Sequence, residues 1–195
     1  MASPVFLKSA SSRADFPPDV GREVAFVGRS NSGKSTALNL ITGVRKLARV
    51  SKTPGRTQLV NFFEVGPERR LVDLPGYGFA RVAPSVRERW RTLLESYFAS
   101  RSSLVGLVLT VDIRRGFGAL DEQMVAWTEP LGLPLTVLLT KADKLSRGAG
   151  LGVERAVAKQ LGGRSEVLRF SAIDRVGVVE ARARLEAWLR EGGRG

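Results

Sequence analysis

Cysteine and histidine are both missing from the 195 residues. Their absence excludes disulfides, thiol nucleophiles, His-based catalytic triads, structural zinc sites and imidazole acid-base chemistry. Any catalysis must therefore run on carboxylates, hydroxyls, amines, backbone amides or a hard metal ion. Long apolar runs are lacking too: the longest, over 104–111, falls well short of the ~20 residues that cross a bilayer. The first residues carry no basic segment followed by an apolar core and a cleavage site, so the expectation is a cytoplasmic protein with no membrane partner. Acidic residues are outnumbered, 19 Asp and Glu against 31 Lys and Arg, giving a formal charge of +12. Only seven of those cations are Lys. A surplus of that size suits a polyanionic partner, although an Arg-rich genome or a heat-adapted host would raise the same count.

What is present is ordinary globular material. A hydrophobic share of 43% and a charged share of 26% can bury a sizeable core at a length that fits one domain. Short apolar runs alternate with longer amphipathic stretches, an α/β signature. Strands are expected over 23–27, 59–65, 69–73, 104–111, 135–140 and 166–170, with helices over 34–42, 85–100, 119–131, 153–161 and 176–190. Gly66, Pro67 and Glu68 alone join the second and third strands, too short a link for a parallel crossover, so that pair must be antiparallel. Right-handed crossovers through helices then give a three-layer, six-stranded, mostly parallel sheet with one antiparallel strand, helices on both faces and its ligand at the carboxyl ends of the strands. The domain is expected over 21–191, with 1–20 as a ragged N-terminal extension and 192–195 as a tail. Between Gly43 and Thr57 lies a long loop without acidic residues that carries Arg45, Lys46, Arg49, Lys52 and Arg56. Loops of that length are usually functional or mobile.

Three segments carry chemistry. After the first strand, Gly28-Arg29-Ser30-Asn31-Ser32-Gly33-Lys34-Ser35 fits G-x-x-x-x-G-K-S/T, in the required strand–loop–helix setting. Gly28 and Gly33 let the backbone wrap until successive amides face a phosphate, and the following helix adds the positive end of its dipole. Lys34 reaches the β- and γ-phosphates, and the Ser35 hydroxyl binds Mg²⁺. Next, Asp73-Leu74-Pro75-Gly76 closes the third strand, placing a carboxylate to hold a metal-bound water and an amide, that of Gly76, to meet a γ-phosphate. Alone, that tetrapeptide reads equally well as a plain turn.

Thr140-Lys141-Ala142-Asp143 follows an apolar strand and resembles the base-recognition motif of GTP-binding proteins. The Asp143 carboxylate can accept from both N1–H and the 2-amino group of guanine, whereas adenine would leave it unpaired. The Lys141 stem can pack over the purine, and the Thr140 hydroxyl can bind neighbouring loops. Phe170, Ser171 and Ala172 end the last strand, where a backbone amide would meet guanine O6. Trp188, Leu185 and Val178 fall at helical spacing and read as core. Trp90, Tyr97 and Phe98 are expected to pack their helix on the sheet. Arg182, Arg184 and Arg190 fit a nucleic-acid face and a solvated surface equally well.

The order Lys34, Thr57, Asp73, Asp143, Ser171 matches the five motifs of translation-factor-related small GTPases. Thr53-Pro54-Gly55-Arg56-Thr57-Gln58 with Asn61-Phe62-Phe63, Asp73-Leu74-Pro75-Gly76-Tyr77-Gly78, and Thr140 through Leu145 together resemble the EngB (YihA/YsxC) family of ribosome-assembly GTPases. The likeness covers roughly Gly21 to Leu189. It implies a Mg²⁺-dependent GTPase, turning GTP and water into GDP and phosphate. It also implies a switch docking on a large ribosomal subunit precursor, rRNA and ribosomal proteins, and needed for normal cell division and septation. By the same likeness Thr57 is the switch-I Mg²⁺ ligand and Gly55, Arg56, Gln58 and Leu59 border the nucleotide; physical reasoning alone does not choose Thr57 over Thr53. Lys34, Thr57 and Gly76 are then the catalytic set, with Ser35 and Thr57 on the metal. The sequence departs from the family at Arg115-Gly116-Phe117 and at Ala172. Tyr77 stands where Ras-like proteins place a water-orienting Gln, and a phenol cannot do that work in the same geometry, so slow turnover or another group or ion is expected. Asn31 resembles the P-loop Asn that binds K⁺ in cation-stimulated GTPases, and it also fits a residue capping its own turn. A monomer is expected. The alternatives are a P-loop kinase, for which T-K-x-D would be surplus, and a non-catalytic RNA-binding module, against which the complete motifs argue.

Overall fold

The computed structural model describes residues 2–48, 59–78 and 83–190. Seven strands are seen among them: β1 Val5–Ala10, β2 Arg22–Gly28, β3 Val60–Gly66, β4 Arg69–Asp73, β5 Leu104–Asp112, β6 Leu135–Thr140 and β7 Glu166–Arg169. The helices are α1 Lys34–Thr42, α2 Pro84–Ser100, α3 Ala119–Thr128, α4 Arg147–Gln160 and α5 Val178–Arg190. The sheet order is β1-β3-β4-β2-β5-β6-β7. β2 pairs in parallel with both β4 and β5, and β6 in parallel with β5 and β7; β3 is antiparallel to β1 and β4, and so runs against the other six.

The two faces follow from the two-residue period of the strands. In β2, Ala25 and Val27 join the layer holding Leu94, Tyr97 and Met124 of α2 and α3, while Val24 and Phe26 join the layer holding Leu38 and Ile41 of α1 and Ala181 and Leu185 of α5. Val178, Leu185 and Trp188 are buried, as their spacing predicts. Gly106 of β5 lies under the Trp188 ring, where a Cβ would come within 2.4 Å of Cε3. Tyr97 and Phe98 pack inward, and Trp90 is partly buried.

The strand count is one higher than expected, and the extra strand comes from 1–20, the segment read as a ragged extension. β1 edges the sheet through backbone pairing with β3, more than fifty residues away, with a bulge between Phe6 and Lys8. Val5, Phe6 and Leu7 are exposed. Their apolar character therefore carries no alternation, which is why the pattern gives no sign of a strand. α4 begins at Arg147 and not at 153, because the Ser146 hydroxyl caps it by accepting from the Ala149 amide at 3.3 Å. Three glycines in its first turns hide that start. The tail over 192–195 lies outside the described residues.

Residues 13–20 are tied down at the sheet end remote from the strands' carboxyl termini. Glu23 is fully buried and accepts from Arg70 Nε at 2.8 Å, Arg101 Nε at 3.1 Å and the Tyr97 hydroxyl at 3.1 Å. The same two guanidinium groups reach the carbonyls of Pro17, Pro18 and Val20. Asp19 accepts from the Ser102 and Ser103 amides, both at 2.9 Å. Ionised groups this deep persist only when their hydrogen-bonding capacity is filled, and here backbone carbonyls complete it.

Candidate functional site

The carboxyl ends of β2, β4, β5, β6 and β7 all open on one edge. From β2 the chain turns through 29–33 into α1, as the motif requires. Gly33 has φ +89°, and Asn31 takes a left-handed conformation at φ +63°. Gly28 is demanded by close approach: a Cβ there would lie 2.1 Å from Thr110 Oγ1 on β5. Ser32, itself buried, shares a 2.7 Å hydrogen bond with that Thr110 hydroxyl. α1 then presents its first turn, with no acidic residue, to the loop.

Asp73 ends β4, and its carboxylate pairs with Lys34 Nζ. Beyond it, the Tyr77 amide donates to the Gly28 carbonyl at 3.2 Å and the Ser30 amide donates to the Tyr77 carbonyl at 2.8 Å, so Gly76 lies against the P-loop backbone. The Tyr77 phenol points the other way, into the layer between α2 and α3. It donates to Asp121 Oδ1 at 2.6 Å, and burial together with that carboxylate drives its pKa far above the ordinary phenol value. A side chain so committed does not face the nucleotide side of the turn.

Thr140 and Lys141 bind the T-K-x-D loop to the P-loop. The Thr140 hydroxyl donates to the Ser32 carbonyl, as expected of a residue bridging neighbouring loops, and to the Val111 carbonyl at 3.1 Å. Lys141, at φ +58°, donates through Nζ to the Asn31 carbonyl and to Asp112 Oδ2, each at 2.8 Å. Arg114 grips the same carboxylate, and this guanidinium, joined by Lys141, holds Asp112 well below the usual carboxylate range.

Asp143 accepts from the Ser171 hydroxyl at 3.1 Å and pairs with Lys144 at 3.0 Å. The Lys144 ammonium, with Ser171, holds the Asp143 carboxyl below its ordinary value despite partial desolvation. Ser171 is fully buried, and its hydroxyl also accepts from the amides of Ile173 and Asp174. The Ser171 amide donates to the Val176 carbonyl at 3.0 Å. Phe170 is buried just past β7 and accepts from the Ala142 amide at 3.1 Å, holding the two base loops together.

The structure thus assembles Gly28 through Ser35, Asp73 through Gly76, Thr140 through Asp143 and Phe170 through Ala172 around one edge. Leu59 precedes β3; Gly55, Arg56, Thr57 and Gln58, with Arg49 and Lys52, lie outside the described residues. Arg45 and Lys46 are exposed at the foot of the basic loop, whose start is fixed by Asn39, bonded to both the amide and the carbonyl of Ala48. On α5, Arg182 is bound to the Ile41 carbonyl, Arg184 to Glu166 and Arg190 to Glu186, so these guanidinium groups are engaged within the fold. Sequence reasoning missed Thr110, Asp112 and Asp121 as supports of the site. An Asp ending an apolar strand was the available signal for Asp112; nothing local marks the other two. No cluster of three acidic, His or Cys side chains that could hold a metal ion occurs among the described residues, and none of their helices is long and apolar enough to cross a membrane.

Comparison with known proteins places these features in context. A family model described as "50S ribosome-binding GTPase" matches residues 23–141. A probable GTP-binding protein EngB from Nitrosococcus oceani is 48% identical over 188 residues, covering 95% of this chain and 94% of that protein. Another, from Coxiella burnetii, is 47% identical over 188 residues, covering 95% and 92%. Among solved structures, a probable GTP-binding protein EngB superposes with TM-score 0.71 at 24% identity over 87% of this chain and all of that one. Era bound to MgGDPNP and nucleotides 1506–1542 of 16S ribosomal RNA gives 0.70 at 22%, over 90% and 59%.

Proposed function

Because the chain belongs to the EngB family of GTP-binding proteins, a GTPase family, we propose that it is a GTP-operated switch in assembly of the large ribosomal subunit, acting as a cytoplasmic monomer and through that role supporting cell division and septation. The carrying observation is the joining of four loops by three contacts: Lys34 meets Asp73, Lys141 meets Asn31, and Asp143 meets Ser171. One nucleotide spanning that edge would touch all of them. An ionised Asp143 backed by Ser171 accepts two guanine donors, and the Ala172 amide meets O6.

In hydrolysis, water attacks the γ-phosphorus in line, the bond to the β–γ bridging oxygen breaks, and GDP and inorganic phosphate leave. The P-loop amides and Lys34 hold the phosphates, so the negative charge that accumulates toward the β-phosphate meets fixed positive groups. Ser35 lies in the first turn of α1, and Asp73 at the end of β4 faces the P-loop through its pair with Lys34, so both supply hard oxygen donors near the start of α1. Those donors fit Mg²⁺, with Thr57 assigned as a further ligand by family likeness. Bound there, the ion would neutralise phosphate oxygens. Gly76, held against the P-loop backbone, would offer its amide to the γ-phosphate, and the turned-away Tyr77 leaves no water-orienting side chain at its own position, in keeping with slow intrinsic turnover.

Ribosomal docking is supported by the description of the matching family model and by the +12 charge. The GTP form is expected to co-sediment with large-subunit particles more strongly than the GDP form. Equal binding of both forms at every salt concentration would reject the switch while leaving the GTPase intact.

A further inference from the structure

Tyr77 and its neighbours hold the D-x-x-G turn on three sides. Its amide and carbonyl bond to Gly28 and Ser30 of the P-loop. Its ring is 3% exposed, and its hydroxyl donates to Asp121, a carboxylate with no solvent exposure. The second oxygen of Asp121 accepts from the Gly118 amide at 3.0 Å and so fixes the start of α3. From α2, Trp90 Nε1 donates to the Pro75 carbonyl at 3.2 Å, and the indole lies tilted against the Tyr77 ring at 6.2 Å between centroids. Gly76 is held between these two pinned residues. A tyrosine that only filled apolar space would not need a buried carboxylate opposite it, since an unpaired buried charge is costly. The phenol supplies the partner of one Asp121 oxygen, as the Gly118 amide does for the other.

We propose that Tyr77 and Asp121 are positioning residues for GTP hydrolysis: their bond anchors the D-x-x-G turn to α3 and holds the Gly76 amide where the γ-phosphate arrives. The inference rests on the γ-phosphate role given to Gly76 above. In this arrangement α3 and the phosphate end of the site move together, so a partner pressing on α3 would alter the response to GTP without touching the nucleotide.

The test measures kcat, KM, GDP affinity and affinity for a non-hydrolysable GTP analogue in Tyr77→Phe, Asp121→Ala, Asp121→Asn and Gly76→Ala. Loss of one hydrogen bond to a charged group corresponds to about a tenfold effect. Tyr77→Phe and Asp121→Ala are expected to lower kcat and the preference for the analogue over GDP by about that factor while leaving GDP affinity, the control for intact fold, within about twofold. Asp121→Asn, which still offers the phenol a partner, should recover most of that loss. Unchanged kcat and analogue preference in Tyr77→Phe, or equal losses for GDP and analogue, would overturn the positioning role if Gly76→Ala abolishes turnover. A harmless Gly76→Ala would instead remove the γ-phosphate reading and the inference with it.

Discussion

In the proposed function Asp143 decides which base is accepted, and its surroundings set its protonation. Replacing it with Asn puts a donor opposite the 2-amino group of guanine, and loss of the charge-assisted pair is expected to weaken GTP by about 2–4 kcal/mol. Xanthosine triphosphate, which carries an acceptor at C2, should be favoured. Titration calorimetry with both nucleotides checks this, and unchanged GTP binding would contradict the guanine assignment. Lys144 and Ser171 hold the carboxyl below the ordinary carboxylate pKa. The sign follows: the ionised acceptor is fully present above the unperturbed value of about 4 and is lost only as pH falls past it to the lowered one. The preference for GDP over IDP, which lacks the 2-amino group and shares the same titrating phosphate, should therefore stay flat from neutral pH down to about 5, measured by competition with a fluorescent GDP in buffers of constant ionic strength. At Asn31, turnover is expected to rise in KCl over NaCl at equal ionic strength, with Asn31→Ala removing the difference. Identical rates would leave Asn31 with its turn alone.

Among the elements, the amino-terminal segment differs most from expectation. Its strand adds an edge to the sheet, and the stretch after it supplies carbonyls that complete the buried Glu23, Arg70 and Arg101 cluster. Glu23→Gln removes the charge that two buried guanidinium groups share, and breaking such a cluster typically costs about 3–5 kcal/mol. Urea unfolding is the measurement. The cluster sits at the end of the sheet away from the P-loop, so the protein that remains folded should bind GDP as before. Reduced GDP affinity with unaltered stability would reverse this assignment. α4 teaches the same lesson on a smaller scale. Gly148, Gly150 and Gly152 weaken its intrinsic preference, yet Gly150 is buried with Arg169 alongside, and the packing of α4 on β7 overrides propensity.

For the whole molecule, part of the charge surplus lies in the basic segment over 43–57, which carries Arg45 and Lys46 and ends at Thr57, the residue that family likeness assigns to Mg²⁺. A protein that neutralises phosphates releases their counterions, so affinity for rRNA should fall steeply as salt rises. Replacing Arg45 and Lys46 with neutral residues should flatten that slope by about one unit per lost phosphate contact while GTP affinity holds. Sedimentation with large-subunit particles across a KCl series reads both quantities. An unaltered slope would move the contact to another face. On α5, Arg182 is bound to the Ile41 carbonyl, while Arg184 and Arg190 stay exposed in surface pairs with Glu166 and Glu186 that a phosphate can displace.

The sequence by itself determined the nucleotide edge and most of the architecture. P-loop, D-x-x-G and T-K-x-D are each contiguous, because phosphate cradling and base recognition are performed by short loops whose backbone geometry is written in neighbouring glycines and prolines. The hairpin of β3 and β4 followed from a three-residue link, and the other four of the six expected strands followed from apolar runs set between helical stretches. Only the tertiary structure decided the rest. Strand β1 became visible through backbone pairing with β3, which leaves no mark on side-chain pattern when the strand's apolar residues face solvent. Thr110 meets Ser32, Asp112 meets Lys141 and Asp121 meets Tyr77 across separations of 78, 29 and 44 residues. Such partners are selected by where the sheet brings strand and helix ends, so a lone Thr or Asp in the sequence carries no hint of them. The direction of Tyr77 belongs to the same class: its position after D-x-x-G placed it in the site, and a buried carboxylate on α3 turned its side chain away.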